Sequence, residues 1–144
     1  MTSAACLRIA GDDLLPDEIS RILGCQPSYA TCKGQVSYGK ATGRQRTART
    51  GCWHLEADDR TPADLDSQIT DIIGRLNRDL NVWASLTDQF RVDMFCGLFM
   101  ARRSEGLILS PETLIALGTR KIDLGLCLYD PTNPAPDEGV DEKQ

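Results

Sequence analysis

The chain of 144 residues contains a single histidine, and only 6% of its residues are aromatic. No apolar run approaches the roughly 18 residues that a membrane-spanning helix needs. Residues 1–13 have no basic segment and only a short apolar run, so a secretory signal peptide is not expected. These absences predict a cytoplasmic protein without a membrane partner, in which the six cysteines are reduced thiols.

Acidic side chains are missing from one long stretch of the chain. No aspartate or glutamate occurs between Ile19 and Leu55, although this stretch holds six of the 16 basic residues. The rest of the chain carries all 21 acidic residues, and the net charge is −5. This balance argues against a protein devoted to nucleic acid, but the uneven distribution predicts a basic patch on an acidic body.

Apolar spacing predicts both strands and helices. A period of two favours strands, and a period near 3.6 favours helices. The predicted strands cover residues 4–11, 51–58, 90–101 and 121–130, with a weaker strand near 34–39. The predicted helices cover residues 16–24, 61–86 and 110–118, and Thr61 is expected to cap the long one. Most of the polar segment 25–50 is expected to be loop.

This order of elements indicates an α+β fold. It approaches the βαββαβ pattern of ferredoxin-like domains, with an extra short helix before the last strand. Because the strands alternate in polarity, we expect a mainly antiparallel sheet with helices on one face. We therefore predict a single domain over residues 1–130. Residues 131–144, rich in proline and acids, are predicted to form a flexible tail.

Several short motifs resemble a known bacterial family. They are LLPDEISRILGCQPS at residues 14–28, TGCWHLEA at 50–57, and LSPETLIALGTRKIDLGLCLYD at 109–130. In this order they are similar to the domain of unknown function 4279 family, over about residues 4–130. The resemblance implies a compact α+β domain and implies no activity, cofactor or catalytic residue.

The segment from Gly34 to Lys40 fits the G-x-x-x-x-G-K start of a phosphate-binding loop. Such a loop needs a buried strand before it, a helix after it, and a hydroxyl residue directly after the lysine. Ala41 occupies the hydroxyl position, and the flanking segments are polar and rich in glycine. A nucleotide-binding loop of this kind is therefore not predicted.

The basic segment 40–49 is the main candidate site. It can contact phosphates of RNA or of a small ligand, while a nearby aromatic ring stacks on a base. A solvated basic loop is the alternative, and a contact with a partner protein is another. The candidate residues for anion or partner binding are Lys40, Arg44, Arg46, Arg49, Tyr38 and Trp53.

Cysteine and histidine offer two further candidates. A metal ion could use Cys25, Cys32, Cys52 and His54, although no C-x-x-C pair occurs in the sequence. Cys52 and His54 alternate with Trp53, so they could also form a thiol–imidazole pair. His54 is expected to face solvent. The other cysteines fit strand patterns and are interpreted as small core residues, namely Cys6, Cys96 and Cys127.

The sequence contains no convergent set of catalytic residues. Its small size and split charge favour a non-enzymatic domain without a cofactor, whose partner is another protein. An immunity or accessory protein that neutralises a basic toxin through its acidic surface is one form of this prediction. The alternative is a binder of RNA or of a phosphate ligand through residues 40–49. A small Cys/His enzyme is the third hypothesis.

Overall fold

A computed structural model describes residues 1–131 of the chain. The predicted tail therefore lies outside the described residues, apart from Pro131. None of the helices within residues 1–131 is both long and apolar enough to cross a bilayer. The elements are β1 Thr2–Gly11, α1 Pro16–Leu23, β2 Tyr29–Thr31, β3 Val36–Tyr38, β4 Gln45–Thr47, β5 Gly51–Glu56, α2 Leu65–Gly74, α3 Leu80–Gln89, β6 Arg91–Phe99, α4 Pro111–Thr119 and β7 Asp123–Tyr129.

Five strands form one sheet in the order β2-β5-β1-β6-β7, and β3 and β4 pair separately as a hairpin. The pairs β2–β5, β5–β1 and β1–β6 are antiparallel, whereas β6 and β7 are parallel. The short helix α4 connects these two parallel strands. The predictions of a small α+β domain with a mainly antiparallel sheet, and of a short helix before the last strand, are confirmed.

One face of the sheet is covered by helices. Leu7 and Ile9 of β1 and Trp53 of β5 are fully buried there, in a core to which all four helices contribute. The Trp53 Nε1 donates a hydrogen bond of 3.1 Å to Ser20 Oγ of α1, which satisfies its polar atom in the core. We call this side the covered face. The opposite side, which carries Arg8 among others, is the open face.

The predicted helix over residues 61–86 is wrong, because the structure has two helices in this region. Asp64, rather than Thr61, caps α2, since its Oδ1 accepts a hydrogen bond from the Ser67 amide. Asp79 then caps α3 through the Asn81 amide. Between α2 and α3 the chain is not helical, but Leu76 and Leu80 continue the apolar spacing across this break. The sequence pattern therefore concealed the break, although Leu80 is about half exposed and does not continue the buried stripe.

The polar segment 25–50 contains more structure than its sequence indicated. The weak strand predicted near 34–39 is β3, and β2 and β4 were missed. Every residue of β3 and β4 is exposed, so neither strand carries the apolar alternation that reveals a half-buried strand. This β3–β4 hairpin joins the end of β2 to the start of β5.

Candidate functional site

A cavity of about 630 Å³ lies on the open face, between the sheet and the β3–β4 hairpin. Its floor is formed by the sheet strands where β1 ends and β5 and β6 begin. Its wall on one side is the hairpin, through Ser37 and Arg46, which are register partners across β3 and β4. The volume is within the range of small-molecule sites, which is roughly 300–1,000 Å³.

A row of polar side chains crosses the floor of the cavity. Strand register places Tyr29 beside His54, His54 beside Arg8, Arg8 beside Asp93, and Asp93 beside Asp123. All five residues line the cavity. We call them the polar row. Their arrangement follows from the period-two rule, since each strand contributes the residue that points away from its buried neighbours.

Arg8 and Asp93 form a paired interaction at the centre of the polar row. The guanidinium donates from Nε to Oδ1 at 2.8 Å and from Nη2 to Oδ2 at 2.5 Å. The hydrogen bond to Asp93 raises the pKa of Arg8. The guanidinium also lies 4.3 Å from the centroid of the Phe95 ring. Arg8 is therefore held by both carboxylate oxygens of Asp93 and by the Phe95 ring, and it forms a fixed part of the floor.

The cavity stays open above part of its floor because the side chains there are short. The row next to the polar row contains Cys52 and Ala10, which are register partners, with Arg91 beside Ala10. A cysteine and an alanine reach only a short distance from the sheet, so the volume between them and the hairpin stays open. This predicts that a larger side chain at Ala10 would occupy the cavity from the sheet side.

Positive charge surrounds the cavity although the whole chain is acidic. Of the described residues that line it, five are basic and two are carboxylates, and one of those carboxylates, Asp93, is neutralised by Arg8. The basic side chains come from separate parts of the chain, which the fold brings together. They are Arg8, Arg46, Arg49, Arg91 and Lys121.

The base of the hairpin is closed by hydrogen bonds between its two arms and is joined to the turn after β1 by one ion pair. The Gly34 amide donates to the Ala48 carbonyl at 2.8 Å, and the Ala48 amide donates to the Gln35 carbonyl at 2.9 Å. Lys33 Nζ lies 3.2 Å from a carboxylate oxygen of Asp12, in the turn that follows β1. The hydrogen bonds hold the two arms together, and the ion pair joins the base of the hairpin to the end of the sheet where the cavity lies.

The predicted basic site is divided by the structure. Arg46 and Arg49 line the cavity, but Lys40 and Arg44 belong to the exposed far end of the hairpin and are not part of its lining. Tyr38 is 69% exposed and also lies outside the lining. Trp53 was a wrong candidate for stacking, because it is buried on the covered face with its indole bonded to Ser20.

The thiol–imidazole pair is on the same face but in an unfavourable electrostatic setting. Cys52 and His54 both line the cavity, and His54 is half-buried rather than fully in solvent. Burial raises the pKa of the Cys52 thiol. Burial, and next the Arg8 charge, lower the pKa of His54. Both shifts favour the neutral forms, whereas a cysteine nucleophile reacts as the thiolate.

The other cysteine predictions concern a metal site and the core. Cys25 and Cys32 are not part of the cavity lining, and residues 1–131 contain no group of three or more His, Cys, Asp or Glu side chains placed to hold a metal ion. All six cysteines are free thiols. Cys96 is in the core as predicted, but Cys6 and Cys127 are half-buried on the open face.

Several site residues were missed by sequence reasoning. Arg8, Asp93 and Asp123 are the polar residues of strands that were predicted correctly, each alternating with apolar residues that enter the core. Their common face was therefore readable from the pattern once the sheet order was known. Arg91 is the first residue of β6 and continues the alternation of Asp93, whereas Lys121 precedes β7, where no alternation marks it.

The chain matches the family model described as a domain of unknown function (DUF4279) over residues 1–131. The protein belongs to this family, which confirms the resemblance found in its motifs. No curated protein and no solved structure matches the chain.

Proposed function

We propose that this protein is a non-enzymatic domain that binds a small anionic ligand in the open-face cavity. The observation that supports it is the convergence of Arg46, Arg49, Arg91 and Lys121 around one cavity, on a chain whose net charge is −5. An arginine guanidinium can bind a carboxylate or a phosphate with two parallel hydrogen bonds, which gives both affinity and orientation. The alternative of a phosphate ligand bound through residues 40–49 thereby becomes a proposal about these four cavity residues.

A small ligand fits the surroundings better than RNA does. RNA recognition relies on exposed aromatic rings on which bases stack. Of the two stacking candidates, Trp53 is buried and Tyr38 lies outside the cavity lining. Tyr29 is half exposed in the lining, and one tyrosine offers a single stacking position rather than a row of them. The cavity itself has the size of a small-molecule site.

The raised pKa of Cys52 and the lowered pKa of His54 also favour a binding role over a Cys/His enzyme. The thiol of Cys52 and the imidazole of His54 are both kept neutral. Neither group is therefore prepared to act as a charged nucleophile or as a strong proton donor at neutral pH.

The experiment is calorimetric titration of the purified protein with pyrophosphate and with citrate, at low ionic strength. We expect at least one of them to bind, and Arg49→Gln to weaken that binding about tenfold, the effect of losing a charge-assisted contact. Arg44→Gln is the matched control, since it removes the same charge from the same hairpin outside the cavity lining. Equal losses in both variants would indicate diffuse attraction rather than a site, and no binding of either anion would refute the proposal.

A steric variant tests the location independently of charge. Ala10→Leu adds bulk to the cavity floor on the open face of β1. We expect it to abolish anion binding while leaving the circular dichroism spectrum unchanged. Binding that survived this variant would place the anion site elsewhere on the molecule.

A protein partner remains the second candidate function. What favours it is the strand β7, which is at one edge of the sheet and exposes Leu126 and Leu128. An uncovered edge strand with apolar side chains is a common place for another chain to pair. Light scattering of Leu128→Lys against the native protein tests self-pairing at this edge, and an unchanged mass in the two samples would count against it.

We also infer a ferredoxin-like unit within the fold. The order β2-β5-β1-β6, antiparallel throughout, supports this assignment. On this interpretation the β3–β4 hairpin is an insertion, and α4 with β7 is an addition at the edge. An experimentally solved structure in which these four strands had another order would overturn the assignment.

A further inference from the structure

The basic side chains of the cavity fall into two groups on opposite sides. Arg46 and Arg49 belong to the hairpin segment between β2 and β5, whereas Arg91 begins β6 and Lys121 precedes β7. From β5 across β1 there are two strand spacings to β6, which carries Arg91, and three to β7, or about 10 Å and about 14 Å at the backbone. We call the two groups the hairpin end and the β7 end of the cavity.

Lys121 is held in an unfavourable backbone conformation at the β7 end. Its φ is 57°, and within residues 1–131 no other residue except glycine has a positive φ. Its amide bonds the Gly118 carbonyl, and the Ile122 amide bonds the Leu117 carbonyl, which together form a Schellman motif after α4. Glycine is the preferred residue at this position, because the β-carbon of any other residue meets steric hindrance in the left-handed region.

A lysine at a glycine position suggests a role for its side chain. Attraction between its ammonium group and the C-terminus of α4 offsets part of this steric cost. Lys121 also lines the cavity together with Arg91, and these two cations outnumber the single carboxylate of Asp123 at the β7 end. Strained residues of this kind are enriched at functional sites.

The floor between the two ends carries little net charge. Asp93 and Arg8 neutralise each other there, and Ala10 and Cys52 offer small, uncharged surfaces. A ligand that crosses this floor would meet positive charge at its two ends and a neutral surface along its middle.

From this arrangement we propose that the ligand is an elongated anion with one negatively charged group at each end and an uncharged middle. The hairpin end holds one anionic group through Arg46 and Arg49, and the β7 end holds the other through Arg91 and Lys121. The inference rests on the proposed function and adds the number and the spacing of the charges. Carboxylates and phosphates share this chemistry, and either could supply the end groups.

The test uses two probes of the same length that differ by one charge. Suberate is a linear eight-carbon dicarboxylate, and its monomethyl ester keeps the chain but has a single carboxylate. We expect calorimetry to show suberate binding about tenfold more tightly than the ester, beyond the twofold statistical factor. Malonate, which also has two charges but is too short to span the cavity, is expected to bind no better than the ester.

Variants at each end show whether both ends contribute. Arg49→Gln and Lys121→Asn are each expected to reduce the preference for suberate over the ester to about twofold. Asparagine tolerates the left-handed conformation, so Lys121→Asn removes the charge without adding strain. Arg44→Gln is expected to keep the full preference. Unchanged preference in both cavity variants would overturn the proposal.

The outcomes separate this inference from the proposed function. If suberate, its ester and malonate bind equally tightly, the cavity is an anion site with a single subsite, and only the two-ended ligand is refuted. If malonate binds as tightly as suberate and both bind more tightly than the ester, the two charges are held at one place, and again only the two-ended ligand is refuted. If no anion binds, both proposals are refuted.

Discussion

The two faces of the sheet are made by neighbouring residues of the same strands, yet they differ in burial and in charge. On β5, Trp53 is fully buried with its only polar atom satisfied, while the next residue, His54, faces a cavity between Tyr29 and Arg8. On β1, Leu7 is fully buried and Arg8 is paired with Asp93 across the open face. The covered face is mainly apolar, and its buried Ser3 and Gln68 are hydrogen-bonded to each other, whereas the open face carries charge.

This difference separates stability from binding. The covered face buries the large side chains, and burial of such groups is the main source of folding free energy. The open face contributes little apolar burial, so its side chains can carry charges that a core would exclude. Substitutions on the two faces should therefore affect different measurements.

The largest expected effect is on the covered face. Trp53→Ala should lower the free energy of unfolding by about 3–5 kcal/mol, because it leaves a large cavity and an unpaired Ser20 hydroxyl in the core. Urea denaturation measures it. The matched aromatic control is Tyr38→Ala, which is 69% exposed and should change stability by less than about 0.5 kcal/mol. A loss below about 1 kcal/mol for Trp53→Ala would contradict the assigned roles of the two faces.

A smaller effect is expected at the centre of the open face. Asp93→Asn keeps the shape but removes the charge that Arg8 binds through two hydrogen bonds. Since each side chain is about a third exposed, water screens the pair, and we expect a loss of only about 1–2 kcal/mol. Asp59→Asn is a control on an exposed carboxylate and should change stability by less than about 0.5 kcal/mol. A loss above about 3 kcal/mol would mean that the open face also holds the fold together.

The covered face was the part that sequence reasoning predicted best. Apolar alternation located β1, β5, β6 and β7 within a few residues, since strands with one buried face repeat with a period of two. Proline and glycine marked both ends of α1, where Pro16 begins the helix and Gly24, with a φ of 73°, ends it. These signals are local and appear in a single sequence.

The open face was harder to predict because its geometry depends on which strands are neighbours. Arg8, Asp93 and Asp123 are far apart in sequence, and only the strand order brings them into one row. The hairpin gave no apolar signal, as both of its faces are exposed. The density of arginines between residues 44 and 49 located one end of the site, but it could not show that only Arg46 and Arg49 reach the cavity.

The next prediction separates stability and binding within one residue. Lys121→Gly should raise the free energy of unfolding by up to about 1 kcal/mol, because glycine adopts the observed φ of 57° without a steric cost. Thermal denaturation followed by circular dichroism measures this change. Lys121→Ala keeps the steric cost and should give no gain, so it is the control. A glycine variant no more stable than the alanine variant would contradict a steric cost at this φ, and an alanine variant less stable than the native protein would show that the lysine side chain stabilises the fold.

The smallest expected effect is a pH dependence that arises at His54. Burial and the charge of Arg8 lower its pKa in the folded state, whereas the unfolded chain has an ordinary histidine with a pKa near 6.5. As the pH falls below about 6.5, the unfolded state binds a proton that the folded state still refuses, so stability decreases. His54→Gln removes this term, and its stability relative to the native protein should rise as the pH falls from about 7 to 5. The carboxylates are common to both proteins, so their titration cancels in the difference. A difference that stays constant over this range would show that His54 is as easily protonated in the folded protein as in the unfolded one, and that the open face is more solvated than its geometry indicates.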